Sequence, residues 1–298
     1  MNKHWVKIVI VLLVLVALAT GALAWLYTGK ITEAKLKVFK AIPLPAAIVG
    51  NTTVAVREVL AKLPIAQKFQ TTNNQNTDSA LESSLLDNLI QERQVEILSG
   101  KKNVSVSPAE LSEIYNSFVQ QATNGDQDKF TKILNDSYGI TPDIFKNEVL
   151  RSQLLKNKLA VWYNSQENLS TTQYKKLRDA EAKAKSGQNF DELVQTYSDD
   201  QGSKAYNGDS GPLQYDKLTL EFQKALNGAN TGDLRIVSSG VGVHLIKVLE
   251  PASANSAGPN NTAKTVHFQN ILLKIDGFDN WLSQNMAAIK SRKLIKFN

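Results

Sequence analysis

The chain has 298 residues, room for one large domain or two modest ones, with 42% hydrophobic and 21% charged residues, an ordinary globular balance. Its formal charge of +6 is spread over 34 Lys and Arg without an arginine cluster or interleaved aromatics, so it marks a solvated face and no nucleic-acid partner is expected. The absence of cysteine excludes disulfides, thiol nucleophiles and zinc-finger spacings, and three scattered histidines argue against a metal site.

At the N-terminus MNKHWVK is followed by IVIVLLVLVALATGALAWLY, Ile8 to Tyr27, a run without a charge. About 20 apolar residues span the roughly 30 Å hydrocarbon core as a helix, so a transmembrane helix is expected here. Lys3 and Lys7 precede it, and Trp25 and Tyr27 sit where an interfacial belt belongs. That polarity puts residues 1–7 in the cytoplasm and the bulk of the chain outside it, in a single-pass cell-membrane protein anchored through residues 8–27. The competing reading is a cleaved signal peptide with Ala22-Leu23-Ala24 as its cleavage box, although the run exceeds the usual apolar core of about 7–15 residues. Both readings export the rest of the chain.

Residues 46–165 read as helices. Leu81, Leu85, Leu86, Leu89, Ile90 and Ile97 form a helical stripe with no Pro or Gly before Gly100. In SPAE, Ser107 is an N-cap, Pro108 stands at the first helical position and Glu110 closes a capping box, ahead of Leu111, Ile114, Tyr115 and Phe118 on one face. DKFTKILNDSYGI suggests a short helix ended by Gly139, and Thr141-Pro142 opens another that carries Ile144, Phe145, Val149, Leu154, Leu155 and Leu159. These helices bear no catalytic constellation.

The polar stretch NSQENLSTTQ, Asn164 to Gln173, is a boundary. Beyond it come a lysine-rich helix from Tyr174 to Lys185 and a second helix capped by Asn189 and Glu192, with Phe190, Leu193, Val194 and Tyr197 as its apolar face. A polar loop bearing Gly208 and Gly211 leads to a short helix through Leu220, Phe222, Ala225 and Leu226. RIVSS and VHLIKVLE are β-rich runs split by Gly240-Val241-Gly242, and after a Pro/Asn/Gly loop TVHFQNILLKI is a further strand, Thr265 to Ile275. DNWLSQNMAAIKSRK is expected to close the chain as a helix.

The order AKSGQNFDELVQTYSDDQGSKAYNGDSGPL, LTLEFQKAL, VGVHLIKVLE resembles the parvulin family of peptidyl-prolyl cis/trans isomerases over about 75 residues. The helical half, with its Leu89-Ile90 helix, VSPAE and a closing KNKL, resembles the N-terminal chaperone region of SurA- and PrsA-type exported foldases. The resemblance implies an α+β chain of three parts. These are a cytoplasmic stub and anchor over residues 1–29, a helical chaperone-like domain over 30–165, and over 166–298 a parvulin-like domain with an antiparallel sheet of about four strands surrounded by helices. Family members open that domain with a strand of the type V-R-A-S-H-I-L-V-K, which this chain lacks before Tyr174. VHFQNILLK, Val266 to Lys274, fits it, so the opening strand is supplied from 265–275 as in a circular permutation. A truncated second copy adding an edge strand and an unrelated strand of chance similarity are the rival explanations.

Carried over position by position, the resemblance implies a site. Asp200 matches an acceptor beside the twisting bond, and His244 the histidine of the final strand. Asn270 stands where the partner histidine belongs, so His244, Asp200 and Asn270 form the implied catalytic set. Leu218 and Phe222 match the proline pocket, Leu213 a wall of it, while Ser210 replaces the usual apolar loop residue. The expected activity is rotation of X-Pro bonds in unfolded or proline-containing client polypeptides of the secreted or envelope class, with no cofactor. The alternative is a holdase whose isomerase domain only cradles extended peptide.

Overall fold

The computed structural model describes residues 3–29, 31–72, 81–253 and 264–297. In chain order these form α1 (Lys3–Tyr27), α2 (Glu33–Ala41), β1 (Pro45–Val49), β2 (Thr52–Ala55), α3 (Val56–Thr72), α4 (Leu81–Lys101), α5 (Pro108–Thr123), α6 (Gln127–Ile133) and α7 (Pro142–Ile144). There follow α8 (Arg151–Asn164), α9 (Thr171–Lys185), α10 (Phe190–Tyr197), α11 (Gln201–Lys204), β3 (Leu213–Gln214) and α12 (Leu220–Leu226). The last elements are β4 (Leu234–Ser239), β5 (Gly242–Ser253), β6 (Thr265–Lys274), α13 (Phe278–Ala287) and β7 (Ser291–Lys293). The mixture of helices with two small antiparallel sheets is the α+β class expected.

The membrane expectation needs correction. Helix α1 forms, yet among the described residues no helix is long and apolar enough to cross a membrane. The side chains of residues 8–11 lie outside those described. The last turn of α1 is committed to protein: Leu26 is buried, the Tyr27 ring meets Phe39 edge-on, and the Tyr27 hydroxyl donates to the Pro45 carbonyl at 2.9 Å.

The chain divides into two compact units, Met1–Gln153 with Gln284–Asn298, and Leu154–Ser283. The division falls within α8, ahead of the polar stretch that suggested a boundary. In the first unit the helices begin where their caps predict. Ser107 accepts from the Glu110 amide while the Glu110 carboxylate accepts from Ser107, closing the capping box of α5. Thr141 caps α7 by accepting from the Ile144 amide, and Gly139 stops the preceding turn in the left-handed region.

Two expectations for this unit are corrected. Residues 45–55 are not helical: β1 and β2 pair antiparallel around Gly50-Asn51, because the β-branched run TTVA and a glycine at φ 56° favour a hairpin over a helix. The closing helix also stops at Ala287, after which Ser291–Lys293 pairs with β1 as the third strand of the order β2-β1-β7. Gln94 of α4, buried, fastens this return by donating from Nε2 to the Met286 and Ile289 carbonyls.

The second unit is built on a four-stranded antiparallel sheet of order β3-β6-β5-β4. Strand β6 lies antiparallel beside β5, Leu245 opposite Ile271 and Ile246 opposite Asn270. Alternation sends Val243, Leu245, Ile271 and Leu273 to one face, where α9 and α10 cover them with Leu177, Ala180, Phe190, Leu193 and Val194. Ile246, Val248, Val266 and Phe268 face the other way, under Leu226, Leu218 and Phe222. Both faces are buried, which is why the strands read as nearly continuous apolar runs.

The outer edge of β6 is occupied as well. The Asp199 amide donates to the Leu272 carbonyl, the Asn270 amide to the Gly208 carbonyl, and the Ser210 amide to the Phe268 carbonyl. Gly208 has no substitute here. Its φ is 72°, and a Cβ would stand 2.5 Å from the Asn270 carbonyl oxygen.

Candidate active site

The turn Ser239-Gly240-Val241-Gly242 folds β4 back onto β5 and sets His244 on the face that α12 covers. His244 is only 6% exposed. Asn270 sits diagonally across on β6, its Oδ1 3.0 Å from His244 Nδ1, and the Ser239 Oγ lies 2.8 Å from Nε2. An amide oxygen only accepts, so Nδ1 carries the proton and donates it; Nε2 then accepts from the Ser239 hydroxyl. Burial pushes the His244 pKa down, opposed by the Asn270 hydrogen bond and by the charge of Asp200. The imidazole is therefore a neutral group fixed in one tautomer.

Helix α12 brings Phe222 over this pair. Its ring meets the imidazole edge-on at 5.0 Å between centroids and leans on Phe268 at 6.0 Å. Leu218 packs against the same cluster. The turn that carries Leu218 is tied to α12 by the Gln223 amide, which donates to the Leu218 carbonyl at 2.8 Å, and by the Tyr215 hydroxyl, which donates to the Gln223 carbonyl.

Asp200 reaches the site differently. It is the N-cap of α11, accepting from the Gly202 amide, and its carboxyl is held below the usual range first by the Ser203 hydroxyl. It acts on His244 through its field. Leu213 lies on β3 opposite Val266 and is exposed. The structure thus gathers His244, Asn270, Phe222 and Leu218, sets Asp200 within electrostatic range, and leaves Leu213 at the sheet edge.

Two neighbours were not singled out by sequence reasoning. Phe268 is two residues before Asn270 in a strand, hence on the same face, and that period was a readable signal. Ser239 is brought to Nε2 by the hairpin register, which pairs it with Gly242 and so sets it diagonally to His244. Elsewhere His267 pairs with Asp209 at 2.5 Å, and Gln269 donates to Asp191 at 2.6 Å, fastening the glycine loop and α10 to β6. Among the described residues no group of three or more His, Cys, Asp or Glu stands together as a metal site.

A four-stranded antiparallel sheet with helices on both faces and a buried, neutral histidine beneath an aromatic ring is the parvulin class of architecture implied by the sequence motifs. Residues 145–252 match the family model described as PPIC-type PPIASE domain, and residues 1–160, more than half of the chain, match the SurA-like N-terminal domain. The chain belongs to the family defined by the SurA-like N-terminal domain, and over residues 145–252 it is similar to PPIC-type PPIASE domains. It is similar to the foldase protein PrsA 2 of Listeria innocua, with 30% identity over 47% of this chain and 42% of that protein. It is also similar to the chaperone SurA of Albidiferax ferrireducens, with 35% identity over 32% of this chain and 21% of that protein. The chain thus matches less than half the length of either relative. The isomerase-domain match ends at residue 252, so β6 lies beyond it.

Proposed function

We propose that the protein accelerates cis/trans isomerisation of X-Pro bonds in unfolded client polypeptides, with Leu218 and Phe222 holding the proline ring and the His244-Asn270 pair beside the rotating amide. The observation that carries this reading is the edge-on contact of Phe222 with an imidazole that burial keeps neutral and that Asn270 and Ser239 hold in place. Rotation must pass a barrier of about 18–20 kcal/mol that comes from amide resonance, and needs no covalent intermediate. In the twisted amide the carbonyl loses dipolar character. A site that is apolar and uncharged favours that state over the planar one, which is what lowers the barrier. Asp200, kept ionised, supplies the only charge of the set and stands off from the pair.

A protease-coupled assay of X-Pro isomerisation with the full chain tests the reading. Catalysis above the thermal rate that falls at least tenfold in Phe222→Ala supports it; a rate equal to the thermal one for every residue before proline sinks it. The deep burial of His244 favours one second reading, a holdase in which this face is simply core. In that case the folded protein suppresses client aggregation with no isomerisation.

Work outside the cytoplasm belongs to the same proposal. Leu12, Leu13, Val14, Leu15, Val16 and Leu18 are all exposed on α1, as an apolar export signal would be. Cell fractionation, finding the protein inside or outside the cytoplasm, decides that part.

A further inference from the structure

The first unit contains a groove of about 870 Å³ that the isomerase site does not use. Helices α3, α4 and α5 and the wide turns Leu134–Tyr138 and Phe145–Leu150 wall it. Phe118, Tyr138 and Val149 line it yet stay 43%, 43% and 42% exposed, beside Leu85 and Phe145. A contiguous apolar surface of this kind, rimmed by polar groups, marks a place where another molecule sits.

Polar groups in the same wall select the occupant. Lys62 lies 3.5 Å from Glu92 and 3.2 Å from Glu148, so one cation serves two carboxylates and the cluster keeps a net negative charge. Burial pushes the Glu92 carboxyl above its usual range; Lys62 opposes this, while Glu148 and Glu96 add to it. A second cation here would therefore be welcome. Gln70, also in the lining, has its Oε1 buried with no donor among the described residues. Such an acceptor calls for an N–H.

We propose that this groove binds an extended polypeptide segment whose large apolar side chains flank a lysine or arginine. The apolar groups fill the wall, a backbone N–H reaches Gln70 Oε1, and the cation joins Glu92 and Glu148. This rests on the client-binding reading above and gives it a substrate class: basic apolar segments, in preference to neutral or acidic ones. An acidic residue in the same peptide meets the unbalanced carboxylate and is rejected.

Fluorescence anisotropy with the full-length protein and three labelled peptides tests it, the peptides sharing the same aromatic and leucine residues around a central Lys, Ala or Glu. The Lys peptide is expected to bind about fivefold tighter than the Ala peptide, a rim ion pair's worth, with the Glu peptide weakest and the order compressed at high salt. Glu148→Gln removes the preference, and Phe118→Ala weakens all three; both side chains are exposed, and circular dichroism checks that the variants fold. Equal affinities, or an order indifferent to Glu148→Gln, overturn the proposal. Binding that vanishes in Phe222→Ala but survives Phe118→Ala moves the client to the isomerase domain, overturning the groove while leaving client binding intact. No binding by the wild type, together with no suppression of client aggregation, overturns the client reading itself. A concentration-dependent dimer that Phe118→Ala abolishes, without peptide binding, gives the groove to a second copy and overturns the proposal equally.

Discussion

Asn270 Oδ1 and His244 Nδ1 lie 3.0 Å apart on neighbouring strands, the two ends of a contact that spans 26 positions in sequence. Because an amide cannot ionise, the pair has one titrating member, where two facing histidines would titrate as a coupled unit. Asn270→Asp supplies a charge at the same distance. The His244 pKa should rise by a unit or more, read from the imidazole ring protons in an NMR titration. An unmoved midpoint would show that the residue 270 side chain does not face the ring.

Stability should fall on acidification. Burial holds His244 below its ordinary value of about 6.5, so the unfolded chain takes up the proton first as pH drops. The contribution of the neutral imidazole is complete above about pH 6.5 and shrinks below it, toward the folded-state pKa. Asp200, held low by Ser203, works in the same direction, its contribution being lost as pH falls through its folded value. Urea midpoints from pH 8 to 4 should decline, and His244→Gln should flatten the first part of that decline. A midpoint that rises with acid contradicts the assignment.

Gly208→Ala should cost about 2 kcal/mol or more, from a left-handed backbone and from a methyl 2.5 Å from the Asn270 carbonyl. Thermal unfolding measures the loss, and faster exchange of the Asn270 amide, which donates to Gly208, locates it. Wild-type stability in this variant would mean that the loop is not docked on β6.

Gln94→Ala should cost about 1–3 kcal/mol, since it opens a buried space and takes a donor from the Ile289 carbonyl and one of two from the Met286 carbonyl. The same loss should appear when the chain is cut after Ala287, which removes β7. A truncated chain as stable as the full one would refute the role of this return.

Much of this architecture could be read from one-dimensional pattern. Ser107 with Glu110, Thr141 with Pro142, and Asn189 announce their helices because a cap is a local hydrogen bond, decided within four residues. Phe222 and His244 were legible through a family motif, and Asn270 through the fit of 266–274 to a family strand. What escaped depends on distant partners. β1 gains its second neighbour because Ser291–Lys293 returns to pair with it, and Ser239 joins the site because a turn register aims its hydroxyl at Nε2. The apolar N-terminal run misled in the opposite sense: hydropathy alone counted Leu26 and Tyr27 into a membrane span, whereas both are bound to protein.

Synthesis proceeds from the N-terminus, and both units close late. The sheet behind His244 has no β6 until the stretch ending at Lys274 has been made, and β1 waits still longer for Ser291–Lys293. Until those strands have been made, a nascent chain carries neither a complete sheet behind His244 nor a complete β2-β1-β7 sheet. Strand β1 therefore keeps one edge open until Ser291–Lys293 has been made, long after the helices that follow β2.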